Sequence, residues 1–177
     1  RESVANLVTE LLEGIEEYTE KHSALSPIRL NRRAIERIEQ KEKGLVPFKG
    51  SDHAIICNWC KEATTVIQEV LSDHRITDVV VISHGERPFE DQPHWHWVCG
   101  NPSDETILRR ANITQAEAAI IFPPERDSLR EDEVADSLSL MTLSTINRLA
   151  EGIWSGVFLQ REENRAHYEE ANAVINP

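Results

Sequence analysis

The apolar positions of this chain follow two regimes that change over near residue 50. In the first, Val4, Val8, Leu11, Ile15 and Tyr18 recur at alternating steps of four and three, the spacing of a helix-packing seam. Leu7 and Leu12 widen that stripe, and Glu10, Glu13, Glu16, Glu17 and Glu20 occupy the other faces. The pattern predicts a helix over residues 3–22, interrupted at Gly14 and ended by the break at 23–27. A second helix is expected over 32–43, where Arg32, Arg33 and Arg37 are set among Ile35 and Ile38. Residues 44–50, which begin and end in glycine, then read as a linker.

In the second regime, short apolar runs at 54–57, 79–82, 95–99, 118–122, 156–159 and 173–175 alternate with helical stretches at 60–73, 104–111, 132–151 and 162–172. Runs without polar alternation fit strands covered on both faces by helices. Repeated β-α-β units with right-handed crossovers give a Rossmann-like, doubly wound parallel sheet, expected in the order 3-2-1-4-5-6. The chain thus divides into an N-terminal helical segment and linker, 1–50, and an α/β domain, 51–177. Ser103 is the expected N-cap of the helix at 104–111, with Asp104 and Glu105 favourable in its first turn. Asn112 ends that helix and Gly152 ends the long one, whose Val134, Leu138, Met141, Thr145 and Leu149 lie near one face. The second crossover is abnormal: eleven residues separate Ser83 from Trp95, and Pro88 and Pro93 punctuate them. A crossover containing a helix needs about a dozen residues or more. This connection is either an extended loop or a place where residues are missing.

The first strand-to-helix turn, 57–62, stands where a dinucleotide-binding domain places its first phosphate on a helix N-terminus. It reads Cys57, Asn58, Trp59, Cys60, Lys61, Glu62, with no glycine at any position of the G-x-G-x-x-G fingerprint. The crevice candidates are Asn58, Trp59, Cys60 and Lys61 on this turn, Ser83 and His84 after the second strand, and Gly100 and Asn101 after the third. A nucleotide-binding member would carry an acid at the end of the second strand to hold the ribose, and Ser83 and His84 stand there instead. Trp59 fills space where glycine would admit a pyrophosphate. NAD is therefore not the expected ligand, and a nucleotide with a smaller phosphate demand, such as AMP or ADP, fits better.

The formal net charge of −12 disfavours nucleic acid as a partner, because such binding rests on lysine and arginine neutralising phosphates. Three cysteines do not make a disulfide framework, and Cys57, at the end of an apolar strand, is expected to point inward rather than to serve a C-x-x-C redox pair with Cys60. No stretch approaches the roughly 20 apolar residues of a membrane span. Arginine rather than methionine at position 1 suggests a piece of a longer protein. For a divalent cation, the acidic cluster Glu125, Asp127, Glu131, Asp132 and Glu133 offers carboxylates, although acids opening a helix also suit its dipole. His94 and His96 share a face, but His-x-His lacks a third ligand at fixed spacing and reads as structural. No nucleophile elbow and no H-E-x-x-H helix is present, so no catalytic residue is expected.

Three ordered blocks carry a resemblance. His-Ala-Ile-Ile-Cys-Asn-Trp at 53–59 is similar to the opening strand of RCK domains, the regulators of K⁺ conductance (TrkA-N-like) found on prokaryotic potassium channels and transporters. Residues 98–113, Val-Cys-Gly-Asn-Pro-Ser-Asp-Glu-Thr-Ile-Leu-Arg-Arg-Ala-Asn-Ile, resemble the family's block after the third strand. Ala-Glu-Ala-Ala-Ile-Ile at 116–121 resembles its fourth strand, and Glu163, Asn164 and residues 173–177 its last helix and strand. The resemblance implies a ligand-sensing domain on the cytoplasmic face of the membrane, self-associating as a dimer or an octameric gating ring that moves the pore domain of a K⁺ channel. It gives residues 1–50 a role as the connection to a pore helix or as a peripheral helix of the ring. One branch of the family binds Ca²⁺ through carboxylates after strand four and along strand five. The matching positions here, Phe122, Pro123, Phe158 and Gln160, carry no carboxylate. The alternatives are a Rossmann-type NAD(P)-dependent oxidoreductase or nucleotide-binding enzyme with a degenerate loop, or a purely structural assembly module.

Overall fold

The computed structural model describes residues 32–124, 132–167 and 169. The chain separates into two compact units, Arg1–Val46 and Pro47–Pro177. The helix expected over 3–22 lies outside the described residues. In the first unit, α1 spans Arg32–Glu42. It ends in a Schellman turn: Gly44 takes a left-handed φ of 64°, its N–H bonds the Lys41 carbonyl at 3.1 Å, and the Leu45 N–H bonds the Gln40 carbonyl at 2.9 Å. The linker glycine is thus a helix cap.

The second unit is a parallel sheet with helices on both faces. Its strands are β1 (His53–Cys57), β2 (Asp78–Ser83), β3 (Trp95–Cys99), β4 (Ala116–Ile121) and β5 (Trp154–Val157). They lie in the order β3-β2-β1-β4-β5, every neighbouring pair parallel. This is the doubly wound arrangement expected from the apolar runs. The sixth strand, expected at 173–175, lies outside the described residues. The helices are α2 (Ala63–Ser72), α3 (Glu105–Arg110) and α4 (Asp132–Leu149). A 3-10 turn, Glu162–Asn164, opens the helical stretch expected at 162–172.

Strand parity sends alternate residues to two cores. Ile55, Cys57, Val80, Ile82, Val98 and Ile121 meet Leu108 of α3 and Leu143 and Ile146 of α4. Ala54, Ile56, Val79, Val81, Trp95 and Ile120 meet Ala63 and Ile67 of α2. Ile55, Ile56, Ile67, Ile82 and Leu143 are fully buried, each contributing about 1.5–3 kcal/mol of burial free energy before entropy is subtracted.

Two expectations are corrected, and of the two readings of the short second crossover the structure takes the loop: residues 84–94 contain bends and turns without a helix, and β2 and β3 pair in full parallel register. Phe89 of this loop covers the sheet where a helix would, its ring 5.2 Å from Trp95 and 5.5 Å from Trp59. The cap of α3 is Asp104, whose carboxylate accepts the Thr106 N–H at 2.7 Å. Ser103 instead pairs its hydroxyl with Thr142 of α4 at 2.9 Å. Finally, β5 begins two residues before the expected run, immediately after the turn at Gly152, because register with β4 starts at Ala118 opposite Trp154.

Candidate functional site

The order of the strands reverses between β1 and β4, and a doubly wound sheet opens a crevice there beyond the carboxyl ends of its strands. Asn58 stands at its centre. Its φ of 64° is left-handed, a conformation that asparagine tolerates better than other non-glycine residues. The Asn58 N–H bonds the Ile82 carbonyl at 2.8 Å and its side-chain amide donates to the Phe122 carbonyl at 2.7 Å, tying the ends of β1, β2 and β4 together. One asparagine thus makes the sharp turn for which a dinucleotide site uses glycine.

A cavity of about 380 Å³ opens beside it. Asn58, His84, Asn101, Pro102 and Ser103 line it from the strand ends, Pro124 from the end of β4, and Leu138 and Thr142 from α4. The Asn101 side chain accepts the Ser103 N–H at 3.0 Å and fixes the loop that presents both residues. Among the described residues the lining mixes polar side chains with Pro102, Pro124 and Leu138, and His84 is the one titratable group.

Of the eight crevice candidates, Asn58, His84 and Asn101 are brought together here. Four of the others lie elsewhere. Trp59 joins Phe89 and Trp95 in an aromatic cluster on the α2 face, and half-buried Cys60 packs against the same core. Lys61 is exposed before α2. Ser83 is buried and accepts the Trp97 indole N–H at 3.0 Å, the partner that a buried indole requires. Gly100 supports the wall: its φ is 152°, and a Cβ there would meet the Ile107 side chain at 2.5 Å. Sequence reasoning missed Pro102, Pro124 and Thr142, and Ser103 was read only as a cap. The one available signal was Thr142 beside the periodic stripe of the long helix.

The thiols carry no redox pair. Cys57 is fully buried, which pushes its pKa up to about 12, and burial likewise pushes Cys60 up. Among the described residues no group of three or more histidines, cysteines or acids is placed to hold a metal ion. Glu125, Asp127 and Glu131 lie outside the described residues, as do the side chains of Asp132 and Glu133. At the positions where the Ca²⁺-binding branch has carboxylates, Phe122 and Phe158 stack instead, with centroids 4.6 Å apart and planes at 13°. The acid near this end is Asp136 of α4, fully buried. It accepts the backbone N–H of Gln160 at 2.7 Å and of Arg161 at 3.0 Å, and the Asn164 amide at 2.7 Å. This carboxylate clamps the turn after β5 to α4.

The sequence profile of the slowpoke-like RCK domain of calcium-activated potassium channels matches residues 49–168. The chain is 30% identical over 122 residues to the putative potassium channel protein YugO of Bacillus subtilis, covering 68% of this chain and 36% of that protein. It is 24% identical over 138 residues to the calcium-gated potassium channel TvoK of Thermoplasma volcanium, covering 78% of this chain and 39% of the relative. It therefore spans little more than a third of either curated relative. The fold matches the GsuK structure bound to ADP with a TM-score of 0.57 at 16% identity, covering 78% of this chain and 36% of that one. For the GsuK channel bound to NAD the TM-score is 0.55 at 17% identity, covering 71% of this chain and 21% of that one. With its parallel sheet, its asparagine turn and these matches over most of its length, the chain belongs to the slowpoke-like RCK domain family.

Proposed function

We propose that this chain is the ligand-sensing regulatory part of a potassium channel or related K⁺ transport protein on the cytoplasmic face of the membrane. Its crevice binds a mononucleotide of the AMP or ADP class, and it self-associates so that ring geometry is passed to a pore domain. The observation that carries this reading is the cavity of about 380 Å³ at the switch point, near the lower end of small-molecule site volumes. One feature favours a mononucleotide over NAD: Asn58 keeps a side chain where a dinucleotide loop has glycine. GsuK structures with ADP and with NAD make nucleotides the ligand class to test first. A ligand moves such a domain only by its differential affinity for two ring geometries. In this reading the domain needs no catalytic residue.

A second reading, a structural module with a vestigial crevice, is favoured by one observation: Asn58, Asn101 and Ser103 already bond protein partners. A thermal-shift panel of AMP, ADP, ATP, NAD⁺, NADH, Ca²⁺, Mg²⁺ and Zn²⁺ separates the two. A ligand at about a hundred times its Kd stabilises by about 2.7 kcal/mol, a shift of several degrees for a domain of this size. The expected result is such a shift with AMP or ADP that His84→Ala or Asn101→Ala removes. No shift with any member of the panel supports the structural module, and NADH turnover supports an oxidoreductase.

A further inference from the structure

Opposite the crevice, at the amino ends of the strands, four titratable groups gather on one face of the sheet. His53 of β1 is in register with Asp78 of β2, and His94, just before β3, lies beside Asp78 on the other side. Asp78 Oδ1 is 2.9 Å from His96 Nε2 and 3.5 Å from His94 Nδ1, while its Oδ2 accepts the Thr77 hydroxyl at 2.9 Å. His53 is fully buried. Its Nε2 is 2.9 Å from the Ala111 carbonyl, which makes that nitrogen the donor and leaves Nδ1 as the lone pair. Nδ1 is buried without a partner.

The lid over this cluster is Phe48. Its ring centroid lies 4.6 Å from that of His53 and 4.7 Å from that of His96. The segment that carries Phe48 into β1 is tied down at four points. The Phe48 N–H bonds the Arg110 carbonyl at 2.9 Å and the Asp52 N–H the Gln115 carbonyl at 3.1 Å. The Thr77 N–H bonds the Asp52 carbonyl at 2.9 Å, and the Asn112 amide donates to the Gly50 carbonyl at 2.8 Å.

We propose that His53, Asp78, His94 and His96 form an acid-released latch that holds residues 47–52 on the sheet through Phe48. In neutral and alkaline solution His53 is uncharged and needs nothing at Nδ1, so the Phe48 ring can close over it. Acid adds a proton to Nδ1, and the closed site offers that proton no acceptor. Asp78 already serves His96, His94 and Thr77, and Asp52 is the one other carboxylate acting on His53. Three imidazoles thus compete for two carboxylates. The positive charge is relieved by lifting Phe48 and admitting water.

The direction follows from burial, which holds the His53 pKa below its ordinary 6.5. The latched state therefore binds fewer protons than the open state, and latching weakens as pH falls through 6.5 toward the lowered value. Burial pushes the Asp78 carboxyl up, but the bonds from His96 and Thr77 outweigh it and hold it below the usual range. Asp78 thus stays charged throughout that window.

The test is amide exchange on the 177-residue chain at about pH 8 and about pH 5.5, corrected for intrinsic rates and spanning the histidine range. Protection at Phe48 and Asp52 should fall about tenfold or more in acid, while Val80 and Ile82 keep theirs. The His53 ring resonances of the unmodified chain should titrate with the same midpoint. His53→Gln should make the protection pH-independent, and Phe48→Ala should remove it at both pH values. Retained protection at the lower pH overturns the latch, as does loss shared with β2. A response abolished by EDTA also overturns it, because a metal rather than a proton would then be responsible. The latch does not rest on the nucleotide reading, which can fail in the thermal-shift panel without touching this result.

Discussion

Asn58 and Asp136 each settle a connection that the sequence presents ambiguously. Asn58 stands in a loop that has lost its glycines, yet its left-handed backbone keeps the turn and its amide reaches the end of β4. Asp136 sits near the start of a long helix, just after the acidic cluster that ends at Glu133, and no pattern in the sequence singles it out. Its three acceptor contacts to the turn after β5 appear only once β5 is placed beside β4. Asp136→Ala leaves two backbone N–H groups and an amide without their acceptor. It should cost about 3 kcal/mol, read as a lower urea midpoint with exchange increased first at 160–164. Cys57 was legible because an apolar strand residue before a turn has nowhere else to point. Ser103 was not, because its preference for a hydroxyl partner on α4 overrides its suitability as a cap.

At the scale of elements, the strands were legible and their edges less so. Four apolar runs became β1 to β4 within two residues at either end, since burial on both faces leaves such runs no other use. β5 was displaced because its register is set by Ala118 of β4, which no local pattern records. The loop between β2 and β3 is the most informative departure. It spans a parallel crossover without a helix, and Phe89 gives it purchase on Trp59 and Trp95, with Arg87 lying over the Phe89 ring at 5.0 Å. Phe89→Ala should therefore destabilise the unit by about 2 kcal/mol, less than a full core truncation because the ring is half-buried. A thermal melt gives the loss, and unchanged nucleotide shifts would place the loop's contribution in the fold rather than the crevice.

For the whole molecule, the architecture was legible from the apolar runs and the family from the ordered blocks, whereas the cavity lining was not. The lining comes from four strand ends and one helix face that the sequence scatters from Asn58 to Thr142. Outside the cavity, Val134 and Met141 lie one heptad apart on α4 and are 49% and 58% exposed, two apolar side chains open on that helix. This pair is where the proposed self-association is best tested. Met141→Glu should weaken it by about tenfold or more without lowering the melting temperature, as sedimentation velocity across a concentration series will reveal.

The arrangement of the sheet also governs how this molecule forms. β1 pairs on one side with β2, which follows it closely, and on the other with β4, whose partners run from His53 with Ala116 to Cys57 with Ile121. Closing that second seam means bringing together segments some sixty residues apart, with α2, β2, β3 and α3 between them in the chain. Contacts so distant in sequence carry a large loop-closure penalty before any burial rewards them. The joint between β1 and β4, which creates the crevice, is accordingly expected to close late in folding. Until it closes, the apolar edge of β1 is open to other chains, so the feature that opens the proposed binding crevice also sets the period in which the molecule is exposed to aggregation.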